Sequence, residues 1–218
     1  FTLYAPGRHQ VPANGAKRRI PVLRSSFKVS PMIRLTPGKS KLAYVVAELK
    51  NTSGRPMLRG HANLFAGTMF TGRSYINTAL PGHTMSLPLG IDDSVKVERH
   101  LKQRTVSEGV LFKDDVTEYT VKIEIANNRR YPITVDVRDQ VPLKYGRKVE
   151  VGSFSYRVAG KQQKAAKATK DRKPGWTGAD DQGRVVWIGK IGPRKVKKLS
   201  FSFRITRPKD WLLRQHGG

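Results

Sequence analysis

Strict alternation of apolar and polar residues, repeated in one segment after another, most narrows what this chain can become. Tyr119, Val121, Ile123 and Ile125 alternate with Thr120, Lys122 and Glu124. Ile133, Val135 and Val137 alternate with Thr134, Asp136 and Arg138. Leu199, Phe201, Phe203 and Ile205 alternate with Ser200, Ser202, Arg204 and Thr206. A period of two puts one set of side chains in a core and the other in water, so each segment reads as a half-buried strand. Residues 42–49 are apolar on both faces, as a central strand covered twice would be. No stretch of roughly 11–18 residues keeps an apolar stripe at the helical period. The chain reads as all-β.

Turn residues interrupt these runs at short intervals, at Pro37-Gly38, Ser53-Gly54, Pro81-Gly82, Asn127-Asn128 and Gly192-Pro193. Connections this short suit antiparallel strands better than parallel crossovers. An internal echo points to two units. A strand, an Asn turn and a Pro-led strand occur at Asn51 and Pro56 and recur at Asn127 and Pro132, with one shared offset. Each unit then has a Pro/Gly turn feeding an alternating strand. The expected architecture is two tandem immunoglobulin-like antiparallel β-sandwiches, residues 1–95 and 96–218, the second with a Lys-rich insertion at 161–173. One larger β-sandwich is the alternative.

Among 218 residues, 42 Lys+Arg face 16 Asp+Glu, a net charge of +26. Glu48 is the only acid before Asp92. Such a field attracts anionic polymers, acidic protein surfaces or anionic membranes, and says nothing about fold. With no cysteine, a disulfide framework, a thiolate zinc site and a cysteine nucleophile are all excluded. No apolar run approaches the ~20 residues of a membrane-spanning helix. The sequence opens on Phe1 without a signal-peptide pattern, so it reads as a piece of a longer chain whose other domains are expected partners.

Searching for chemistry returns little. No Gly-x-Ser-x-Gly elbow is present, and His9, His61, His83, His100 and His216 are scattered. Pro37-Gly38-Lys39-Ser40 ends like a phosphate-binding loop but has Ile33 where the earlier glycine belongs. Asp92-Asp93, Asp114-Asp115 and Asp180-Asp181 lack the further alternating ligands of a calcium loop. The reading is no catalytic residue, no metal and no cofactor. Sequence-specific nucleic-acid motifs are missing too, and few aromatics lie beside basic runs.

A series of phrases resembles the conserved C-terminal domain of the bacterial mucoidy inhibitor A family, from about His9 to Pro208. They include Val11-Pro12-Ala13-Asn14-Gly15, Arg19-Ile20-Pro21-Val22 and Asn51-Thr52-Ser53-Gly54-Arg55-Pro56. Leu80-Pro81-Gly82, Leu87-Pro88-Leu89-Gly90-Ile91-Asp92, Asp139-Gln140-Val141-Pro142 and Gly183-Arg184-Val185-Val186-Trp187 follow in order. The resemblance implies a β-rich domain that in longer members follows another β-domain and a coiled coil. It implies no catalytic or ligand residue, and the family name points toward exopolysaccharide phenotype. The Lys-rich insertion and the scarcity of acid before residue 92 depart from the usual pattern.

The function expected from these readings is a non-catalytic structural or interaction module, in the cell envelope or periplasm, with a basic surface for anionic polymers or acidic proteins. Non-specific nucleic-acid binding is the alternative, and a carbohydrate-active enzyme the weaker one. The expected contacts are Lys161, Lys164, Lys167, Lys170, Arg172, Lys173 and Trp176, on a mobile arm that orders on a polyanion, followed by Lys17, Arg18 and Arg19.

Overall fold

The computed structural model describes residues 5, 7–106, 114–143, 149–167 and 173–208. Every regular element among them is a strand: β1 (Ser30–Leu35), β2 (Ala43–Lys50), β3 (Gly60–Ala66), β4 (Met69–Ile76), β5 (Thr84–Ile91), β6 (Val95–Val106), β7 (Asp114–Asn127), β8 (Ile133–Gln140), β9 (Glu150–Val158), β10 (Lys161–Gln163), β11 (Gly175–Thr177), β12 (Arg184–Ile191) and β13 (Lys195–Pro208). The chain is all-β, and its strands pair mostly antiparallel.

Six strands form one sheet in the order β11-β12-β8-β1-β2-β5, five form a second in the order β10-β9-β13-β7-β6, and β3 pairs with β4 alone. The alternating residues do what their period requires. Val121, Ile123 and Ile125 of β7, Leu199, Phe201, Phe203 and Ile205 of β13, and Val135 and Val137 of β8 are buried in one cluster. That cluster also takes in Ile33, Leu35 and Ala43 from β1 and β2.

The boundary expected between residues 95 and 96 falls at the first residue of β6, just after the turn that follows β5. The pairing crosses it, however, because β1 lies parallel to β8, with Ile33 opposite Val135 and Leu35 opposite Val137. Arg34, which alternates with Ile33 and Leu35 on β1, clamps this seam. Its guanidinium donates to Asp136 on β8 at 3.2 Å, Glu48 on β2 at 2.9 Å and Ser86 on β5 at 3.0 Å. Asp136 is fully buried and also accepts from Arg138 at 2.8 Å, so two guanidiniums compensate one desolvated carboxylate.

The internal echo has a structural counterpart. The order β1-β2-β5 repeats as β6-β7-β13. The offset that takes Asn51 to Asn127 also takes Met57 to Ile133; Met57 bridges Ala79, and Ile133 pairs with Ile191. The offset that takes Ala79 to Ile191 takes Pro81 to Pro193 and Gly82 to Arg194. Gly82 and Arg194 both have positive φ, 81° and 53°, so the same left-handed turn is built once with glycine and once at the steric cost of a side chain.

Both asparagines are buried and hold that turn. Asn51 Nδ2 donates to the carbonyls of Arg55 and Ala79, both at 2.8 Å, while its Oδ1 accepts the Ser53 N–H at 3.1 Å. Asn127 Nδ2 lies 3.0 Å from the Tyr131 carbonyl, 3.2 Å from Ile191 and 2.9 Å from Gly192, and its Oδ1 accepts the Arg129 N–H at 3.1 Å. In each copy one side chain satisfies backbone groups of its own turn and of a distant strand end.

The expected mobile arm is corrected in its described part. Lys161–Gln163 is strand β10, paired with β9, and Ala166 bridges Thr177. Ala165 packs against the core, and the Ala166 N–H donates to the Trp176 carbonyl at 2.9 Å. The small Ala side chains between the lysines let the backbone settle onto the sheet edge.

Candidate anion-binding face

β7 and β13 bury alternate side chains, β6 does so at Val95 and Val97, and β9 at Tyr156, so the intervening residues form the outer face of the five-stranded sheet. Register fixes its rows. One row reads His100, Lys122, Ser200, Arg157 and Gln162 from β6 to β10. The next reads Lys102, Thr120, Ser202 and Ser155. Neither contains an acid. His100, Lys102, Lys122 and Arg157 are exposed, while Thr120, Ser155, Ser200 and Ser202 are half-buried. The Ser155 and Ser202 hydroxyls are 2.8 Å apart. The face is therefore a floor of hydroxyls flanked by the cations Lys102, Lys122 and Arg157 and by the His100 imidazole.

Acids border these rows instead of interrupting them. On one side Lys198 meets Glu124 at 3.2 Å and His100 Nε2 lies 3.6 Å from Glu98. On the other, Glu118 stands opposite both Arg104 and Arg204.

At that end β9 carries a bulge, where the register shifts between Ser202 and Arg204 and Ser153 takes φ 52°. A left-handed non-glycine residue stores strain, and a bulge re-aims its neighbours. Here it opens a polar cavity of about 220 Å³ lined by Val116, Glu150, Val151, Gly152, Ser153, Arg204 and Thr206.

The contacts expected from sequence are dispersed. Lys161, Lys164 and Lys167 are exposed along and just beyond β10, at the edge of this face. Lys173 is exposed just before β11, in the other sheet. Lys170 and Arg172 lie outside the described residues. Lys17, Arg18 and Arg19 are exposed in the extended segment before β1, where Arg18 donates to the Gln10 carbonyl at 2.5 Å.

Trp176 needs correction, because it is 3 % exposed and part of the core. Its ring packs 5.4 Å from Tyr156 and 5.8 Å from Phe201, and its Nε1–H donates to the Arg157 carbonyl at 3.3 Å. The composition of residues 161–173 drew attention to the segment. The cations of the face are spread singly along β6, β7 and β9, where only strand register brings them together.

The shifted titrating groups serve the fold. Burial pushes the Tyr156 hydroxyl up from its ordinary value, opposed by the Ala179 N–H that it accepts. For Asp180, burial acts upward but is outweighed. The backbone N–H and guanidinium of Arg184 and the Gln182 N–H hold its carboxyl below the usual range and lock the turn before β12. Among the described residues no group of three His, Asp or Glu could hold a metal ion, and no helix is long and apolar enough to cross a membrane.

Fold and face define an all-β chain with a cation-and-hydroxyl sheet surface. The chain belongs to the family described as "Domain of unknown function (DUF4139)", whose model matches residues 1–209. It is similar to "Protein F37C4.5" of Caenorhabditis elegans, 25 % identical over 118 residues. The match takes in 53 % of this chain and 21 % of that relative, so the chain spans a minor part of the relative's length.

Proposed function

We propose that this chain is a non-catalytic interaction module that binds acidic polysaccharide on the outer face of its five-stranded sheet. The observation that carries this reading is the pair of adjacent acid-free rows, with His100, Lys102, Lys122 and Arg157 around Thr120, Ser155, Ser200 and Ser202. Spaced cations neutralise carboxylates or sulfates along a linear polymer, and hydroxyls exchange hydrogen bonds with its sugars. No Phe, Tyr or Trp stands in these rows, whereas single-stranded nucleic acid needs stacking platforms. Lys161, Lys164 and Lys167 extend the positive surface along the β10 edge.

The mucoidy inhibitor A resemblance supports the same polymer class and a place in the cell envelope. The repeated strand order and the paired Asn turns support a duplicated immunoglobulin-like sandwich unit, with its boundary near residue 95.

The test is a salt titration of binding to a heparin-like polysaccharide. Lys102→Gln, Lys122→Gln and Arg157→Gln combined should lower the slope of log K against log salt by up to about three, roughly one per lost contact. An unchanged slope would remove the face from consideration. Tighter binding to single-stranded nucleic acid at the same salt would favour the alternative function.

A further inference from the structure

The β3–β4 hairpin belongs to neither large sheet. At its end Phe65 pairs with Phe70 across the ribbon, the rings 5.5 Å apart edge to face, and Met69 stands beside them. These side chains are 58 %, 52 % and 67 % exposed, and Tyr75, further down the same strand pair, is 53 % exposed. These large apolar side chains join no buried cluster among the described residues, and a contiguous exposed apolar patch marks an interaction site. The surrounding charge says which kind. From Lys50 to Ile91 the chain has no acid, while Lys50, Arg55, Arg59 and Arg73 are all cationic. Arg73 stands opposite Asn63, two register steps below the aromatic pair.

We propose that the hairpin tip inserts into the interface of an anionic lipid bilayer. Phe65, Met69 and Phe70 would enter the headgroup–acyl boundary while Arg59 and Arg73 meet the lipid charges. An exposed apolar tip on an acid-free basic neck matches both halves of such an interface, in which aromatic rings sit at headgroup depth and basic residues gain from surface charge. This surface is separate from the polysaccharide-binding face and rests on different residues.

The test is flotation of this chain with phosphatidylcholine vesicles with and without phosphatidylglycerol, at physiological salt. Wild type should float with the anionic vesicles only. Phe65→Ser with Phe70→Ser should lower partitioning about tenfold or more, since each ring forfeits much of its burial. Arg59→Gln with Arg73→Gln should lower it severalfold. All four side chains are exposed, so the melting temperature should hold in both variants, and the Lys102/Lys122/Arg157 variant should retain the tip's contribution. No flotation, equal flotation with both vesicle types, or flotation indifferent to Phe65 and Phe70 would overturn the proposal. Self-association lost in the Phe variant without vesicle binding would also overturn it, identifying a second copy as the occupant.

Discussion

Replacing Asn127 by alanine removes a small side chain with large consequences. The residue is 1 % exposed, and its amide serves three carbonyls, at Tyr131, Ile191 and Gly192, while its Oδ1 takes the Arg129 N–H. Two amide hydrogens cannot fully satisfy three acceptors, so about three net interactions are lost, counting the Arg129 N–H. A net contribution of about 1 kcal/mol per bond, plus a penalty for carbonyls left dry, predicts a loss of about 2–4 kcal/mol. Asn51→Ala, with carbonyl partners at Arg55 and Ala79, should fall in the same range. Asn127→Asp should be worse than alanine at neutral pH, because it aims a carboxylate at carbonyl oxygens, and should recover partly on acidification. Urea unfolding followed by circular dichroism measures all three. A change below about 0.5 kcal/mol for Asn127→Ala, with the m-value unaltered, would refute the idea that these side chains pin the turns.

Three further outcomes follow from the same geometry. Asp180 has its carboxyl held low, so it contributes stability that is present above the ordinary carboxylate value and lost as pH falls through its lowered one. Acid titration of the wild type against Asp180→Asn should show that loss only in the wild type. Tyr156, raised by burial, should stay protonated past the ordinary phenol value. Its contribution should be intact below that value and decline as pH climbs through the raised one, read by phenolate absorbance against Tyr156→Phe. Gly183→Ala should destabilise by about 1–3 kcal/mol in thermal melts, since φ is +71° and an added Cβ would collide with the Val141 carbonyl oxygen.

Period-two patterning made the core strands legible because burial on one face leaves its mark residue by residue, as in Leu199, Phe201, Phe203 and Ile205. The Asn turns were visible as spacing, and their chemistry was not. That Asn51 and Asn127 are buried donors to distant strand ends depends on Ala79 and Ile191, far along the chain. The parallel β1–β8 seam had no local signature, since pairing across the two halves is set by tertiary packing. Trp176 was misread because its basic neighbours suggested a surface, whereas its place on β11 beside β12 turns the ring inward. The proposed anion-binding face escaped for a related reason. Its cations are isolated in sequence and become neighbours only when β6, β7, β13 and β9 align.

The most direct measurement is lysine-modification footprinting by mass spectrometry, with and without a heparin-like polysaccharide. The account predicts strong protection of Lys102 and Lys122, weaker protection of Lys161, Lys164 and Lys167 at the adjoining edge, and none of Lys190 in the other sheet. Protection confined to the 161–167 segment, or spread evenly over all exposed lysines including Lys190, would contradict it.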